Sequence, residues 1–360
     1  MNKKVIIAMS GGVDSSVAAY LMKKQNFNCM GVTMKLFHNE DIGISQKHSC
    51  CSLDDVEDAR SVAYKLGIPY YVFNFSERFK EDVIERFVSA YENGMTPNPC
   101  IDCNRYLKFD ELYRRAREFG YDYVVTGHYA RIEKEVSTGR FLLKKALDSN
   151  KDQSYVLYSM TQEQLAHTQF PLGSMTKQEV RRIAESQNFI NAHKHDSQDI
   201  CFVRNGSYAD FIEEYTGKRY PEGNFIDSSG NIIGQHHGII RYTVGQRKGL
   251  GLSFSEPMYV CAVDPIENTV MLGKKSELYF SVIMAKDINL IPFSFIDKPL
   301  RLKAKVRYRQ PEQWATVTQI SKDTLRIEFD KPQRAVTKGQ AVVLYDNDIV
   351  VGGGTIFDVR

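Results

Sequence analysis

The chain has 360 residues, 42% of them hydrophobic and 25% charged, with a formal net charge of +3. At about 100–200 residues per domain this is material for two or three domains, and the ordinary apolar-to-charged balance excludes a disordered or fibrous protein. No apolar run approaches the roughly 20 residues of a membrane span, so no membrane partner is expected. Lys3 and Lys4 before Val5–Met9 look like the start of a signal peptide, but Gly11, Gly12 and Asp14 end that run too soon. Seven unevenly spaced cysteines predict free, catalytic or metal-bound thiols in a reducing compartment. The expected location is cytoplasmic.

In chain order, Val5–Met9 reads as a buried strand, and Val13, Val17, Tyr20 and Leu21 then recur on one face of a helix. Cys29–Leu36 and Tyr70–Phe75 are further strands around a helix at Asp54–Leu66. Helices at Glu81–Tyr91 and Arg105–Phe119 precede a strand at Tyr123–Thr126. Strands alternating with helices predict βαβ units and a parallel sheet. From about residue 206 the helices thin out. Residues 224–280 and 283–360 read as two small, mostly β modules broken by turns such as Asp227–Asn231 and Asp264-Pro265. The expected division is 1–205, 206–280 and 281–360.

The stretch AMSGGVDSS, Ala8–Ser16, joins the first strand to the first helix. Gly11 and Gly12 let backbone N–H groups converge on an anion, and Ser15, Ser16 and the helix N-terminus add hydroxyls and a dipole end. The lysine of a Walker phosphate loop is absent. The bland alternative is a glycine turn with Asp14 or Ser15 as helix N-cap.

Further on, MTPNPCIDCNRYLKF (Met95–Phe109) places Cys100 and Cys103 three apart at the start of a helix, where the dipole is expected to lower a thiol pKa. HDSQDICFV (His195–Val203) carries Cys201 in a polar loop. A CxxC alone is equally half a zinc site, and a lone cysteine is more often a small core residue.

SGGVDS resembles the pyrophosphate loop of the ATP pyrophosphatase superfamily. The whole chain resembles the bacterial tRNA-specific 2-thiouridylases, through SGGVDSS, CCSLDDVEDAR, NPCIDCN, TGHYARI, KDQSYVLY, HDSQDICF, GQRKGLGL and KVRYRQ in that order. The resemblance implies an N-terminal parallel-sheet adenine-nucleotide alpha-hydrolase-like domain, a central mostly β domain and a C-terminal tRNA-binding β-barrel. It implies ATP with Mg²⁺ at Ala8, Met9, Ser10, Gly11, Gly12, Val13, Asp14, Ser15, Met34 and Gly127. Cys103 corresponds to the nucleophile and Cys201 to the cysteine carrying the persulfide, the two ending as a disulfide. Asn98, Pro99 and Cys100 are implied to line the target base. His128, Lys151, Asp152, Gln153, Arg307, Tyr308 and Gln340 are implied to meet tRNA. The implied reaction is 2-thiolation of the wobble uridine, U34, in the tRNAs for lysine, glutamate and glutamine, fed by a cysteine desulfurase or persulfide relay protein.

Many members of the family have aspartate where this chain has Cys100. With Cys50 and Cys51 in HSCCSL, the chain resembles a cysteine-rich subgroup. An iron–sulfur cluster on Cys100, Cys103 and Cys201 is therefore the second reading. Two rivals remain: an ATP-dependent C–N ligase of the same superfamily, indifferent to Cys103 and Cys201, and a thiol-rich RNA-binding module without catalysis.

Residues 283–360 hold 13 Lys and Arg against 9 Asp and Glu. Arg301, Lys303, Lys305, Arg307 and Arg309 alternate with Leu302, Ala304, Val306 and Tyr308. On a strand this places five cations on one face, either as a phosphate track or as a solvated surface. Tyr308 falls on the apolar face, which predicts a bulge or strand end there.

Overall fold

A computed structural model of the chain describes residues 3–37, 53–196, 200–203 and 207–360. Cys50, Cys51 and Ser197–Asp199 lie outside the described residues. The chain forms two compact units. One comprises Met1–Val83, Cys100–Phe202 and Asp348–Val351; the other comprises Ile84–Pro99, Val203–Asn347 and Gly352–Arg360.

The first unit begins as the sequence predicts, with β1 (Lys4–Ala8), α1 (Val13–Lys24), β2 (Asn28–Lys35), α2 (Leu53–Leu66) and β3 (Tyr70–Asn74). Val5, Ile6 and Ile7 are wholly buried, each stabilising the fold by about 1.5–3 kcal/mol. Such an unbroken apolar run suits a strand covered on both faces. α3 (Ser76–Phe79) passes through a π-helical turn, Lys80–Ile84, into α4 (Glu85–Glu92). α5 (Pro99–Asp102) runs on through a π-helical stretch, Cys103–Glu111, into α6 (Leu112–Glu118). Apolar periodicity predicted helices at both places but does not report a change from i→i+4 to i→i+5 pairing. There follow β4 (Tyr123–Val125), the hairpin β5 (Ala130–Lys134) and β6 (Phe141–Lys145), α7 (Gln162–Ala166), β7 (Thr168–Gln169) and α8 (Lys177–Ser186).

The sheet order is β3-β2-β1-β4-β7, with every pairing parallel. β1 and β4 are neighbours, so the loops at their carboxyl ends, residues 9–12 and 126–129, open side by side. Open parallel sheets bind ligands at such ends.

In the second unit, α9 (Tyr208–Thr216) precedes a four-stranded sheet of β8 (Gly223–Ile226), β9 (Ile232–His236), β10 (Tyr259–Asp264) and β11 (Thr269–Gly273). Six more strands follow: β12 (Tyr279–Leu290), β13 (Leu300–Lys305), β14 (Gln313–Ser321), β15 (Thr324–Arg334), β16 (Ala341–Asp346) and β17 (Ile349–Val359). They pair in the order β12-β15-β14-β13-β16-β17, and β12 pairs again with β17 to close a barrel. α4 belongs to this unit. Phe87 packs edge-on to Phe211 at 6.3 Å, and Tyr91 stacks on Tyr208 at 4.4 Å. The fold is α/β: a parallel-sheet domain of the adenine-nucleotide alpha-hydrolase type, then two small, mostly β modules.

The predicted row of five cations is shorter than expected. Leu302, Ala304 and Val306 are buried as the alternation requires, but β13 ends at Lys305. Only Arg301, Lys303 and Lys305 therefore share a strand face. Arg301 is neutralised by a bidentate pair with Asp330 at 2.8 and 2.7 Å. Arg307 and Tyr308 lie beyond the strand, and the Arg307 guanidinium turns inward. No helix among the described residues is long and apolar enough to cross a membrane.

Candidate active site

Gly11 takes φ +76°, and a Cβ there would lie 2.3 Å from the carbonyl oxygen of Asp55 on α2. Only glycine fits. Gly12 is the N-cap of α1, in extended backbone with no side-chain cap, so neither Asp14 nor Ser15 closes the helix end. An uncapped N-terminus on a 12-residue helix is a ready anion site. Ser15 braces the turn, accepting from Ser10 N–H at 3.2 Å and donating to Gly12 O at 3.0 Å. Asn191 donates through Nδ2 to Gly11 O and to Ser16 Oγ, both at 2.9 Å. The side chains of Met9 and Val13 are buried in the core of the unit, so what they offer a ligand is main chain. Met34 is half-buried on β2, beside Phe73 of β3.

A lysine from α8 pairs with the loop. Lys177 Nζ donates to both Asp14 carboxylate oxygens, at 2.7 and 2.8 Å, and pairs with Asp196 at 2.6 Å. Asp196 is held in turn by Lys151 at 2.7 Å. Burial alone would raise the Asp196 carboxyl; the Lys151 and Lys177 bonds outweigh it and hold it below the usual carboxylate range. Tyr129 OH donates to Asp14 at 2.8 Å. Burial, and then the Asp14 charge, push that phenol far up, so it stays a donor. On the other side of the loop, Lys194 bridges Asp55 and Asp58 of α2, both at 2.6 Å. Sequence reading missed Lys177, Asp196, Asn191 and Lys194. Thr176 and Glu179 form a capping box that marks Lys177 as the first residue of α8, but a cap signal does not say where that helix points.

Gly127 follows β4, and a Cβ on it would meet Asp14 C and Ser15 N at 2.8 Å. Both atoms are backbone and cannot swing aside. Gly127→Ala should therefore displace the loop, costing about 1–3 kcal/mol, read as a fall in thermal midpoint.

Cys103 is buried, and it is not depressed as expected. Burial pushes its thiol up, and the Lys108 charge only partly offsets this. It is the fifth residue of the helix that begins at Pro99, past the first turn, where the dipole acts most strongly. Cys100 is exposed and Cys201 half-buried; the five described cysteines are all thiols. Lys108 also acts on Cys100 and on His128, so one cation serves both cysteines of the loop and the histidine. It lies five residues beyond Cys103, and i→i+5 pairing brings those two positions nearer one face. His128 is buried, bonded through Nδ1 to Thr126 Oγ1 at 2.7 Å. Burial, then Lys108, hold its pKa well below the ordinary value, so the ring is neutral at physiological pH. Among the described residues no three His, Cys, Asp or Glu side chains converge as a metal site. Cys100, Cys103 and Cys201 are thus not brought together as three cluster ligands.

The residues implied to meet tRNA carry structural bonds. Asp152 accepts from Ala146 N–H at 2.9 Å and from Ser154 Oγ at 2.8 Å. Gln153 accepts from Tyr129 N–H at 2.9 Å. In the second unit Gln340 bonds to the backbone at Thr96 and Pro97, and Arg307 to Val244, Ala335 and Thr337. Asn98 is half-buried and Pro99 buried, while Tyr308 is exposed.

Three family models match in succession: a tRNA methyl transferase HUP domain over residues 3–205, a tRNA methyl transferase PRC-barrel domain over 209–274 and an aminomethyltransferase beta-barrel domain over 280–356. A protein named tRNA-specific 2-thiouridylase MnmA from Clostridioides difficile is 54% identical, the match covering 99% of this chain and 98% of that one. One of the same name from Clostridium kluyveri is 48% identical, covering 99% of each. Among solved structures, a 4-thiouridine synthetase–RNA complex with bound ATP matches at 18% identity and a TM-score of 0.37, over 55% of this chain and 44% of that one. That likeness is too slight to bear on the argument. Identity near one half along the full length is decisive, and the chain belongs to the tRNA-specific 2-thiouridylase family.

Proposed function

We propose that this protein uses ATP to place sulfur on C2 of the wobble uridine, U34, of tRNA. The observation that carries the reading is the lysine-less glycine turn at the end of β1, with Asp14 held by Lys177, in a chain of the 2-thiouridylase family. A phosphate cradle serves an ATP-consuming step; methyl transfer, which the matched domain names mention, needs none.

The C2 oxygen attacks the α-phosphate of ATP, forming an adenylate and releasing pyrophosphate. The turn of Ala8–Ser15 with Gly127 receives the phosphates, Lys177 adds positive charge, and Met34 borders the nucleotide. Mg²⁺ carried by the phosphates would neutralise their charge there. The terminal sulfur of a Cys201 persulfide then attacks C2 and displaces AMP. Cys103 cleaves the remaining S–S bond at Cys201, leaving 2-thiouridine and a Cys103–Cys201 disulfide, which a thiol reductant clears by exchange. Burial disfavours the Cys103 thiolate that this last step uses. Asn98, Pro99 and Cys100 line the base. The catalytic part is residues 1–205, with 206–280 as a central domain and 281–360 as the barrel that meets tRNA. The substrates are the tRNAs for lysine, glutamate and glutamine, the sulfur source is a desulfurase or persulfide relay protein, and the setting is the cytoplasm.

The test is incubation of anaerobically purified protein with tRNA, Mg-ATP and a persulfide donor, followed by nucleoside mass spectrometry. ATP-dependent 2-thiouridine, one pyrophosphate per thiolation, is the expected result. Pyrophosphate release driven by an amine, with no thionucleoside, would favour the C–N ligase reading instead.

A further inference from the structure

Gln340 Nε2 and Arg307 Nη2 donate to the protein itself. Gln340 Nε2 donates to Thr96 O at 2.8 Å and to Pro97 O at 3.3 Å. Thr96 N–H donates in return to Lys338 O at 2.9 Å. Residues Thr337–Gln340 form the turn between β15 and β16, closed by Gln340 N–H to Thr337 O at 3.2 Å. Gly339 within it has φ +89°, and a Cβ there would come to 3.0 Å from Met95 Cβ and 3.1 Å from Thr96 N. A left-handed glycine at that turn position is what lets the two backbones meet. Behind the turn, Arg307 Nη2 donates to Val244 O at 3.1 Å, and to Ala335 O and Thr337 Oγ1, both at 2.8 Å. Thr337 is 2% exposed, and its hydroxyl donates to Ala335 O at 3.1 Å.

These contacts form a chain with a direction: Arg307 fixes Thr337, the Thr337–Gln340 turn fixes Thr96 and Pro97, and Asn98 and Pro99 follow. We infer that Arg307, Thr337 and Gln340 are positioning residues, a clamp by which the barrel turn sets the backbone of the Met95–Pro99 segment. The inference rests on the thiolation reading, in which that segment ends at the target base. A side-chain amide bonded to two carbonyls restrains a proline-flanked stretch whose own prolines donate nothing. The clamp therefore acts on base placement rather than on affinity for the phosphate backbone.

The test compares Gln340→Ala, Thr337→Val and Thr337→Ser with the wild type in three measurements on the full chain. These are kcat for 2-thiouridine at saturating tRNA, tRNA Kd with its salt slope, and hydrogen–deuterium exchange of the 95–103 peptide in the free protein. Gln340→Ala and Thr337→Val are expected to lower kcat about tenfold, a loss of roughly 1.4 kcal/mol of transition-state stabilisation. Kd should stay within about twofold with an unchanged salt slope, and exchange at Thr96 and Asn98 should rise. Thr337→Ser keeps the hydroxyl and should behave as wild type. Buried Thr337 cannot reach tRNA, so only a clamp makes its loss resemble that of Gln340. Weakened tRNA binding in Gln340→Ala, with exchange and kcat unchanged, would overturn the inference. Exchange is read without turnover, so it judges the clamp even if the wild type were to make no thiouridine.

Discussion

Lys177→Met should lower pyrophosphate release by about 10²–10³-fold, the loss typical of removing one preorganised charge from a developing anion. The substitution also leaves Asp14 and Asp196 facing each other without the cation they share. That costs on the order of 1–3 kcal/mol of stability, since both carboxylates keep some contact with solvent. The two effects separate in the double variant Lys177→Met/Asp196→Asn. Removing the second charge relieves the repulsion, so the thermal midpoint should recover while pyrophosphate release does not. Recovery of both together would make Lys177 a structural counter-ion only. Lys177→Arg should keep an intermediate rate, because a planar fork does not reproduce a point charge that bonds two carboxylates at once.

The cysteine series has the second large effect. Cys201→Ser should accept no persulfide from a donor and make no 2-thiouridine. Cys103→Ser should still load sulfur on Cys201, visible as a mass gain of one sulfur on that peptide, and then stall, because no thiol displaces the product. Cys100→Asp gives the commoner family residue at an exposed position and should retain substantial activity. A cluster held by Cys100, Cys103 and Cys201 forecasts otherwise: Cys100→Asp loses a ligand, binds little iron and is inactive with every donor. Thionucleoside and iron are measured on the same samples. An iron-loaded, active wild type beside an iron-free, inactive Cys100→Asp would defeat the persulfide relay.

What could be read from the sequence was local. The glycine turn was legible because its constraints sit together: an apolar strand, two glycines and an apolar helix within about twenty positions. The β modules of the second unit were legible as short strands separated by turns, whereas their closure into a barrel came only with the family resemblance. Lys177 was not, since the contact it makes spans 163 positions and its own neighbourhood reports only a helix start. The depressed Cys103 thiol was expected from helix position, and burial, which no local pattern reports, reversed it. Arg307 was read onto a strand face by period-two alternation. The strand stops at Lys305, and the inward turn of the guanidinium depends on carbonyls of Val244 and Ala335 that lie far off in the chain.

Helix α4 sits within the first half of the sequence, yet it folds with the second unit, where Phe87 is wholly buried and Tyr91 stacks on Tyr208. The reverse holds at the other end, where Asp348–Val351 return to the first unit and Ile349 pairs with Lys144 of β6. The two halves therefore exchange pieces of chain, and a cut at residue 205 does not yield interchangeable parts. Recombination or gene fusion at that joint would strand an aromatic helix face on one side and remove a strand partner on the other. A chain laced in this way separates into its two units only if α4 and the Asp348–Val351 return each go with the unit in which they pack.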